Sequence, residues 1–199
     1  MILLAIDTAS TRLQLALLRA GRVDVFSEDM AQGQAERIFP AIADLLERNG
    51  VAYGDLARLA CTTGPGSFTG LRIGLSAARG LGLALRIPVL GVPSLLALSL
   101  AGPPGPHAIL LDARRGEAYV QLFGSPGLPH STPLVVPMAE AEALAAGLPV
   151  LSSPFVDIAA VARFAEIADP SAFPPVPAYL RGADAKPQDK ARIARRMPA

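Results

Sequence analysis

A glycine-rich stretch at residues 64–74 has the composition of an anion-binding loop. It reads G-P-G-S-F-T-G-L-R-I-G and joins an apolar run to a long segment rich in alanine, leucine and glycine. This order is typical of a strand, a sharp turn and a helix. The hydroxyls of Ser67 and Thr69 can cap the first helical turn, and the free amides of a helix N-terminus attract anions.

The alternative for this loop is a tight turn with a capped helix. The loop contains no lysine or acid that would hold a phosphate or its metal. It also has neither the dinucleotide-binding nor the P-loop spacing of glycines.

A second polar turn follows the first predicted strand. Asp7 ends that strand, and Thr8 and Ser10 precede the next apolar run. In a nucleotide-binding fold, such a turn brings amides and hydroxyls to phosphate while the acid orients metal-bound water. The alternative is an Asx or Ser/Thr turn that closes a hairpin.

The other reactive side chains form no catalytic or metal-binding pattern. Ser67 lies outside a G-x-S-x-G motif, and Cys61 lies in an apolar strand, where a core position is expected. His107 and His130 are far apart without neighbouring acids, and no H-E-x-x-H motif occurs. We therefore expect no catalytic residue and no metal site in this chain.

The elements that must position these residues follow an α/β pattern. Strands are predicted at residues 3–7, 13–18, 23–26, 56–63 and 89–92, and helices at residues 33–49, 69–85 and 94–100. Pro40 predicts that the first helix either begins near Glu36 or bends. The order suggests a mixed sheet covered by helices.

A Pro-Pro-Gly-Pro sequence at residues 103–106 divides the chain into two predicted units, residues 1–102 and 107–199. In the second unit, strands are predicted at residues 107–113, 118–123 and 134–136, and helices at residues 138–146 and 159–168. Residues 112–117 are predicted as a charged hairpin turn. The basic tail after Leu180 is either solvated or touches a nucleic acid.

Composition places the chain among packed globular proteins. Of its 199 residues, 51% are hydrophobic and 18% are charged, the net charge is +1, and Cys61 is the only cysteine. We expect a cytoplasmic protein without disulfides, and without a membrane span, because no apolar run reaches the roughly 18 residues that a span requires. The near-neutral charge argues weakly against nucleic-acid binding by this chain alone.

The helix after the glycine loop carries two stripes. Arg72, Arg79 and Arg86 recur along one side, and Gly70 and Gly74 form a small-residue stripe that a second helix could approach closely. A helix with so little polar surface is central or lies at an interface. We predict that it docks against another helix, with its arginines at the rim.

Several motifs together resemble the TsaB family, also called YeaZ. They lie at residues 5–9, 34–40, 64–74, 112–114 with Glu117 and Tyr119, and 177–181. The resemblance runs nearly end to end and implies an α/β, actin-like fold (ASKHA, ribonuclease H-like) with two lobes, mixed sheets and a reduced second lobe. Gln34 stands where the family usually has histidine, which moves this chain further from a metal role.

The resemblance implies a non-catalytic scaffold that activates the complex forming N6-threonylcarbamoyladenosine in tRNA. Its partners would be the catalytic subunit TsaD and the ATPase TsaE, with a homodimer possible when this chain is alone. ATP and metal would be held by the partners, this chain would bind no cofactor, and tRNA would be met only through the complex. The alternatives are an actin-fold phosphotransferase using Asp7 and the glycine loop for ATP, and a metallopeptidase-like protein.

The family resemblance also implies where the partner binds. The two helices of the first lobe would bundle with helices of the partner, and Asp7, Thr8 and Ser10 would be a vestigial nucleotide turn. The predicted interface residues are Gln34, Ile38, Phe39, Ile42, Gly70, Arg72, Gly74, Leu75 and Arg79.

Overall fold

The first three strands form an antiparallel meander within a five-stranded sheet. The structure is a computed structural model and describes residues 1–180. The strands of this sheet are β1 (Ile2–Asp7), β2 (Arg12–Arg19), β3 (Arg22–Asp29), β4 (Arg58–Thr62) and β5 (Val89–Val92). They lie in the order β3-β2-β1-β4-β5, with β4 parallel to both β1 and β5. The two predicted hairpins are confirmed.

Both faces of the sheet are buried at β1, β2 and β4, because these strands direct apolar side chains to the two sides in turn. The helices are α1 (Gln34–Arg48), α2 (Phe68–Leu85), α3 (Ser94–Ser99), α4 (Met138–Leu144) and α5 (Ile158–Ile167). Leu4 and Ile6 of β1 pack in one core with α1 and α2, and Leu3 and Ala5 pack in another with α3 and α5. The predicted helices and strands are therefore confirmed, with ends that differ by a few residues.

Pro40 lies inside α1 and does not set its beginning. The helix starts at Gln34, two residues before the start near Glu36 that was one of the two alternatives, and continues to Arg48. Proline removes one backbone donor, but Ile38, Ile42 and other apolar side chains bury one side of α1 against the sheet. This packing stabilises the helix through the proline, since most helical stability in proteins comes from tertiary burial.

The second sheet also has five strands, but two of them contain only two residues each. Its strands are β6 (His107–Arg114), β7 (Glu117–Ser125), β8 (Leu128–Pro129), β9 (Leu134–Pro137) and β10 (Val150–Leu151). The order is β10-β6-β7-β8, and β9 also pairs with β7. α4 covers one side of this sheet through Ala141, which packs with Ala118 and Val120. The sequence did not predict β8 and β10, because two residues are too few to show an alternation.

Residues of the second predicted unit complete the core of the first. α5 packs on β1 and β2, and its Val161 shares one cluster with Leu3 of the first sheet and Phe123 of the second. Arg58 of β4 donates from one guanidinium nitrogen to the carbonyls of Ala165, Glu166 and Ala168, at 2.7, 3.2 and 3.0 Å. The C-terminal end of α5 is thereby capped by a cation from the first sheet.

Candidate protein-docking site

The glycine-rich loop is held by hydrogen bonds on both sides. Gly64 donates its amide to Ser94 Oγ at 3.1 Å and accepts from the amide of Ser94 at 2.7 Å. The Ser67 amide donates to the carbonyl of Ala9 at 2.7 Å, and the Ser67 hydroxyl caps α2 by accepting from the Gly70 amide at 3.2 Å. The structure confirms the prediction of a strand, a turn and a capped helix.

Thr8 attaches the end of β1 to α2. Its hydroxyl donates to the carbonyl of Gly70 at 2.7 Å and accepts from the amide of Gly74 at 3.0 Å. A side chain at Gly70 or Gly74 would overlap Thr8, and one at Gly66 would overlap the carbonyl of Ala9. The glycines are therefore required for close approach of the chain's own polar turn.

Asp7 is enclosed beneath that turn. It is 1% exposed, and its Oδ1 accepts from the Thr62 hydroxyl at 2.5 Å and from the Ala9 amide at 3.1 Å. Among the described residues its Oδ2 has no partner. Burial raises the pKa of Asp7, while the two hydrogen bonds to its carboxylate act in the opposite direction.

A cleft of about 610 Å³ lies beside the turn and between the two sheets. The residues lining it include Ser10, Ser67 and Tyr119, together with the oppositely charged Asp112 and Arg114. Asp112 accepts from the Arg114 amide at 2.7 Å, as a charged hairpin turn should. Within residues 1–180, no cluster of three His, Cys, Asp or Glu side chains could hold a metal.

Cys61 and His107 are buried. Burial raises the pKa of Cys61 to about 12, with a smaller contribution in the same direction from nearby Asp7, so the reactive thiolate is scarce at neutral pH. The ring of His107 stacks on Phe123 with 5.5 Å between the ring centroids. The predicted core position of Cys61 is confirmed.

The outer side of α1 and α2 exposes aromatic rings around a groove of about 500 Å³. Phe39 and Phe68 line it and are 47% and 57% exposed. The guanidinium of Arg72 lies 3.7 Å from the ring centroid of Phe68, and the Tyr179 ring lies 6.0 Å from that of Phe68. We call Phe39, Phe68, Arg72, Ile73 and Tyr179 the docking face, because exposed aromatic and arginine side chains are typical of protein interfaces.

Tyr179 reaches this face through the C-terminal strap, residues 173–180. The carbonyl of Phe173 accepts from the Gly91 amide at 2.8 Å, and the Ala178 amide donates to the carbonyl of Thr63 at 2.8 Å. A side chain at Gly91 would overlap the strap. The strap therefore runs along the ends of β5 and β4 before it arrives at α2.

The structure divides the predicted interface residues into two groups. Phe39, Arg72 and Arg79 are exposed on α1 and α2. Gln34, Ile38, Ile42, Gly70, Gly74 and Leu75 are buried within the chain. The small-residue stripe of α2 faces β1, and the apolar residues of α1 face the sheet, so this second group offers a partner little surface. Ile38 nevertheless lines the aromatic groove, and Leu75 lines a hollow beside Arg72 and Tyr179, so their place in the interface stays a prediction.

Gln34 has an internal role at the start of α1. Its Nε2 donates to the carbonyl of Ser10 at 3.0 Å and lies 3.5 Å from the carbonyl of Met30. The side chain therefore joins α1 to the polar turn after β1.

Three residues of the docking face, Phe68, Ile73 and Tyr179, are absent from the interface predicted from the sequence. Phe68 is the first residue of α2. An aromatic residue directly after a helix cap is a weak sequence signal of an exposed contact residue. Tyr179 has no local signal, since only the path of the strap brings it to α2.

The fold and the docking face define a class of protein. It is a two-lobed α/β protein of the actin-like, ribonuclease H-like class with two mixed sheets. A pair of helices on its first lobe presents an exposed aromatic groove. None of the helices within residues 1–180 is both long and apolar enough to cross a membrane.

Comparison with known proteins gives the family. Residues 25–127 match the model of the family described as TsaD, tRNA N6-adenosine threonylcarbamoyltransferase. The tRNA threonylcarbamoyladenosine biosynthesis protein TsaB of Escherichia coli is 38% identical over 121 residues, which is 59% of this chain and 52% of that protein. TsaB of Bacillus subtilis is 37% identical over 126 residues, 62% of this chain and 55% of that protein. The matched region thus spans about half the length of these curated relatives.

Two further matches extend over nearly the whole chain. The uncharacterized protein Rv3421c of Mycobacterium tuberculosis is 33% identical over 199 residues, covering 92% of this chain and 93% of that protein. The structure of YeaZ from Pseudomonas aeruginosa matches with a TM-score of 0.73 and 27% identity, covering 90% of this chain and 99% of the other. The chain belongs to the TsaB (YeaZ) family, which confirms the resemblance of its motifs and its fold class.

Proposed function

We propose that this chain is a non-catalytic scaffold subunit of the cytoplasmic complex that forms N6-threonylcarbamoyladenosine in tRNA. It pairs through the docking face with the catalytic subunit, TsaD, and the ATPase TsaE joins the pair. ATP and metal are held by these partners, and tRNA is met only through the complex. When the catalytic subunit is absent, a second copy of the chain occupies the same face.

The docking face is the observation that carries this proposal. Phe39, Phe68 and Tyr179 each leave about half of an aromatic side chain exposed on one side of the molecule. Full burial of a large apolar side chain contributes about 1.5–3 kcal/mol, so burying these rings against a partner is strongly favourable. Arg72 makes two contacts within the chain: its guanidinium stacks on Phe68, and its Nε lies 3.4 Å from the Tyr179 hydroxyl. An arginine held by such contacts loses less conformational entropy when it binds.

Reconstitution tests the proposed function directly. Purified TsaD and TsaE are incubated with tRNA and the threonylcarbamoyl precursor, with and without this chain, and the modified adenosine is quantified. We expect modification to fall to background without this chain. Undiminished modification in its absence would contradict the proposal.

Surface variants test whether the docking face makes the contact. Phe39→Asp and Phe68→Asp are expected to weaken binding to TsaD by about a hundredfold, as for central aromatic residues of an interface. Ile167→Asp is the matched control, since Ile167 is 85% exposed on α5, across the sheet from α1 and α2. Analytical ultracentrifugation measures the association, and circular dichroism checks the fold. Equal binding by both variants and the control would show that the contact lies elsewhere.

The phosphotransferase alternative has weaker support. The Thr8 hydroxyl and the Ser67 amide, which could bind phosphate, are committed to Gly70, Gly74 and Ala9. We expect no heat of binding when Mg-ATP is titrated into this chain. Micromolar binding that is lost in Asp7→Ala would instead support a nucleotide site.

A further inference from the structure

We propose that Thr8 is a positioning residue for partner binding: its buried hydroxyl fixes the first turns of α2, and thereby the place of Phe68 and Arg72 on the docking face. Thr8 is 1% exposed and reaches no outside surface, so its effect on binding is indirect. The partner class is the one given by the proposed function, on which this inference rests.

Two attachments fix the start of α2. The first is a chain of hydrogen bonds in which Thr62 binds Asp7, Asp7 accepts from the Ala9 amide, and the Ala9 carbonyl accepts from the Ser67 amide. The second is Thr8, which binds a carbonyl and an amide that are four residues apart, one helical turn further along α2. α2 also packs on the sheet and on α1 through Leu75, Ala77 and Ala78. Of the polar contacts at its start, one alone would restrain a single point, whereas two along its length restrain both position and rotation there.

Close packing between Thr8 and α2 allows these hydrogen bonds in only one orientation of the helix. The backbone and side chain of Thr8 occupy the space where side chains at Gly70 and Gly74 would lie. A small rotation of α2 would bring Leu71 or Ile73 toward Thr8 instead of a glycine. Such a rotation would both break the two hydrogen bonds and produce overlap, so the helix has one favoured orientation.

Phe68 and Arg72 of the docking face lie on the turns of α2 that Thr8 fixes. Phe68 and Arg72 flank Gly70 in sequence and point outward, while Gly70 and Gly74 point toward Thr8. Any shift of this segment therefore moves the aromatic ring and the guanidinium together. Binding sites need supporting residues that hold the contacting side chains to about 0.5 Å, and Thr8 supplies that support here.

The closing experiment compares three variants with the wild-type chain. Thr8→Val keeps the shape and removes the hydroxyl, and Thr8→Ser keeps the hydroxyl. Ser99→Ala is the matched control: Ser99 is fully buried in α3, and its hydroxyl donates to the Leu96 carbonyl at 2.7 Å and accepts from the Gly127 amide at 3.1 Å. It therefore loses a comparable pair of hydrogen bonds away from the docking face. Thr8→Ala replaces Thr8→Val if the valine variant does not fold.

The first measurement is amide hydrogen exchange of the isolated chain at residues 70–76. We expect exchange at least about tenfold faster in Thr8→Val, and near wild-type rates in Thr8→Ser and Ser99→Ala. The second measurement is affinity for purified TsaD. We expect about tenfold weaker binding by Thr8→Val, with Thr8→Ser and Ser99→Ala close to wild type.

The two measurements separate the possible failures. Unchanged exchange in Thr8→Val would overturn the inference, and so would faster exchange with undiminished affinity. Equal weakening by Ser99→Ala would also overturn it, since the effect would then follow from general destabilisation. If the wild-type chain does not bind TsaD, the proposed function fails, and the exchange rates still decide whether Thr8 fixes α2.

Discussion

Asp7, the last residue of β1, is enclosed by β4 and by the turn that contacts α2. One of its carboxylate oxygens lacks a partner within the described part of the chain. An unsatisfied buried oxygen is unfavourable for the charged form. The burial of this side chain therefore makes the stability of the fold depend on pH.

Asp7→Asn should stabilise the protein at neutral pH. Burial raises the pKa of Asp7 above the ordinary value of 3.8, so the folded state holds this proton more tightly than the unfolded state does. The contribution of Asp7 to stability is complete below pH 3.8 and is lost as the pH rises through the pKa of the folded state. Asparagine accepts the same two hydrogen bonds through its Oδ1 and carries no charge, so we expect the variant to be more stable at neutral pH.

Urea unfolding of Asp7→Asn and the wild-type chain from pH 3 to pH 8 checks this prediction. The difference between their unfolding free energies should be small at the acid end and should grow as the pH rises. A constant difference would show that Asp7 is as easily ionised in the folded state as in the unfolded one.

Cys61 should resist thiol reagents in the native protein. Its side chain is fully buried, and at pH 8 a thiol with a pKa of about 12 is ionised to only about one part in ten thousand. We expect an aromatic disulfide reagent to leave the native thiol unmodified for hours and to label it fully in urea. Rapid labelling of the native chain would mean that β4 opens readily.

At the scale of elements, the position of α2 explains why residues 64–74 contain so many glycines. Its glycines are spaced to pass the polar turn after β1, and its exposed side carries Phe68 and Arg72. The motif therefore serves both the interior of the molecule and its docking face.

Gly70→Ala and Gly80→Ala should change stability in opposite directions. A methyl group at Gly70 would overlap the Thr8 carbonyl, and we expect a loss of about 1–3 kcal/mol. Gly80 lies on the exposed side of the same helix with open space around it, so alanine should add about 0.5–1 kcal/mol through helix propensity. Urea denaturation measures both. A stabilising Gly70→Ala would mean that the turn and α2 are further apart than described.

The sequence predicted most of the elements but not which side of α2 faces inward. Periodicity shows that Gly70 and Gly74 share one side, yet it does not distinguish an internal neighbour from a partner helix. The neighbour is Thr8, which is distant in sequence, and only the pairing of β1 with β4 brings it beside α2. The helical spacing suggests Gly74→Arg and Ile42→Asp as variants that would weaken an interface. Both positions are buried, and Thr8 leaves no room for a side chain at Gly74, so we expect these variants to disrupt the core.

At the scale of the whole molecule, the two predicted units depend on each other. One apolar cluster contains residues of both sheets and of α5, and Arg58 and Gln14 bind carbonyls of the second unit. The linker at residues 103–106 was predictable from its prolines. The shared core was not, because the apolar pattern of α5 does not reveal which sheet it covers.

Thermal unfolding should therefore be a single transition. The van't Hoff and calorimetric enthalpies are expected to agree, as for a cooperative domain. Arg58→Met should lower the stability of the whole transition by about 1.5–3 kcal/mol, because it removes charged hydrogen bonds to the end of α5. Arg163→Met is the control, since Arg163 makes one exposed bond to the Gly21 carbonyl. Two resolved transitions would show that the units unfold separately.

Because the C-terminal strap supplies Tyr179, the docking face is completed only late in the synthesis of the chain. Phe39 and Phe68 leave the ribosome early, but α5 and Tyr179 come from the last part of the described chain. A growing chain therefore has the exposed aromatic residues of α1 and α2 before it has α5 and the Tyr179 ring that contacts Phe68 and Arg72. A partner that requires the complete face can recognise only chains that have been translated at least to Tyr179, so assembly itself would discriminate against prematurely terminated products.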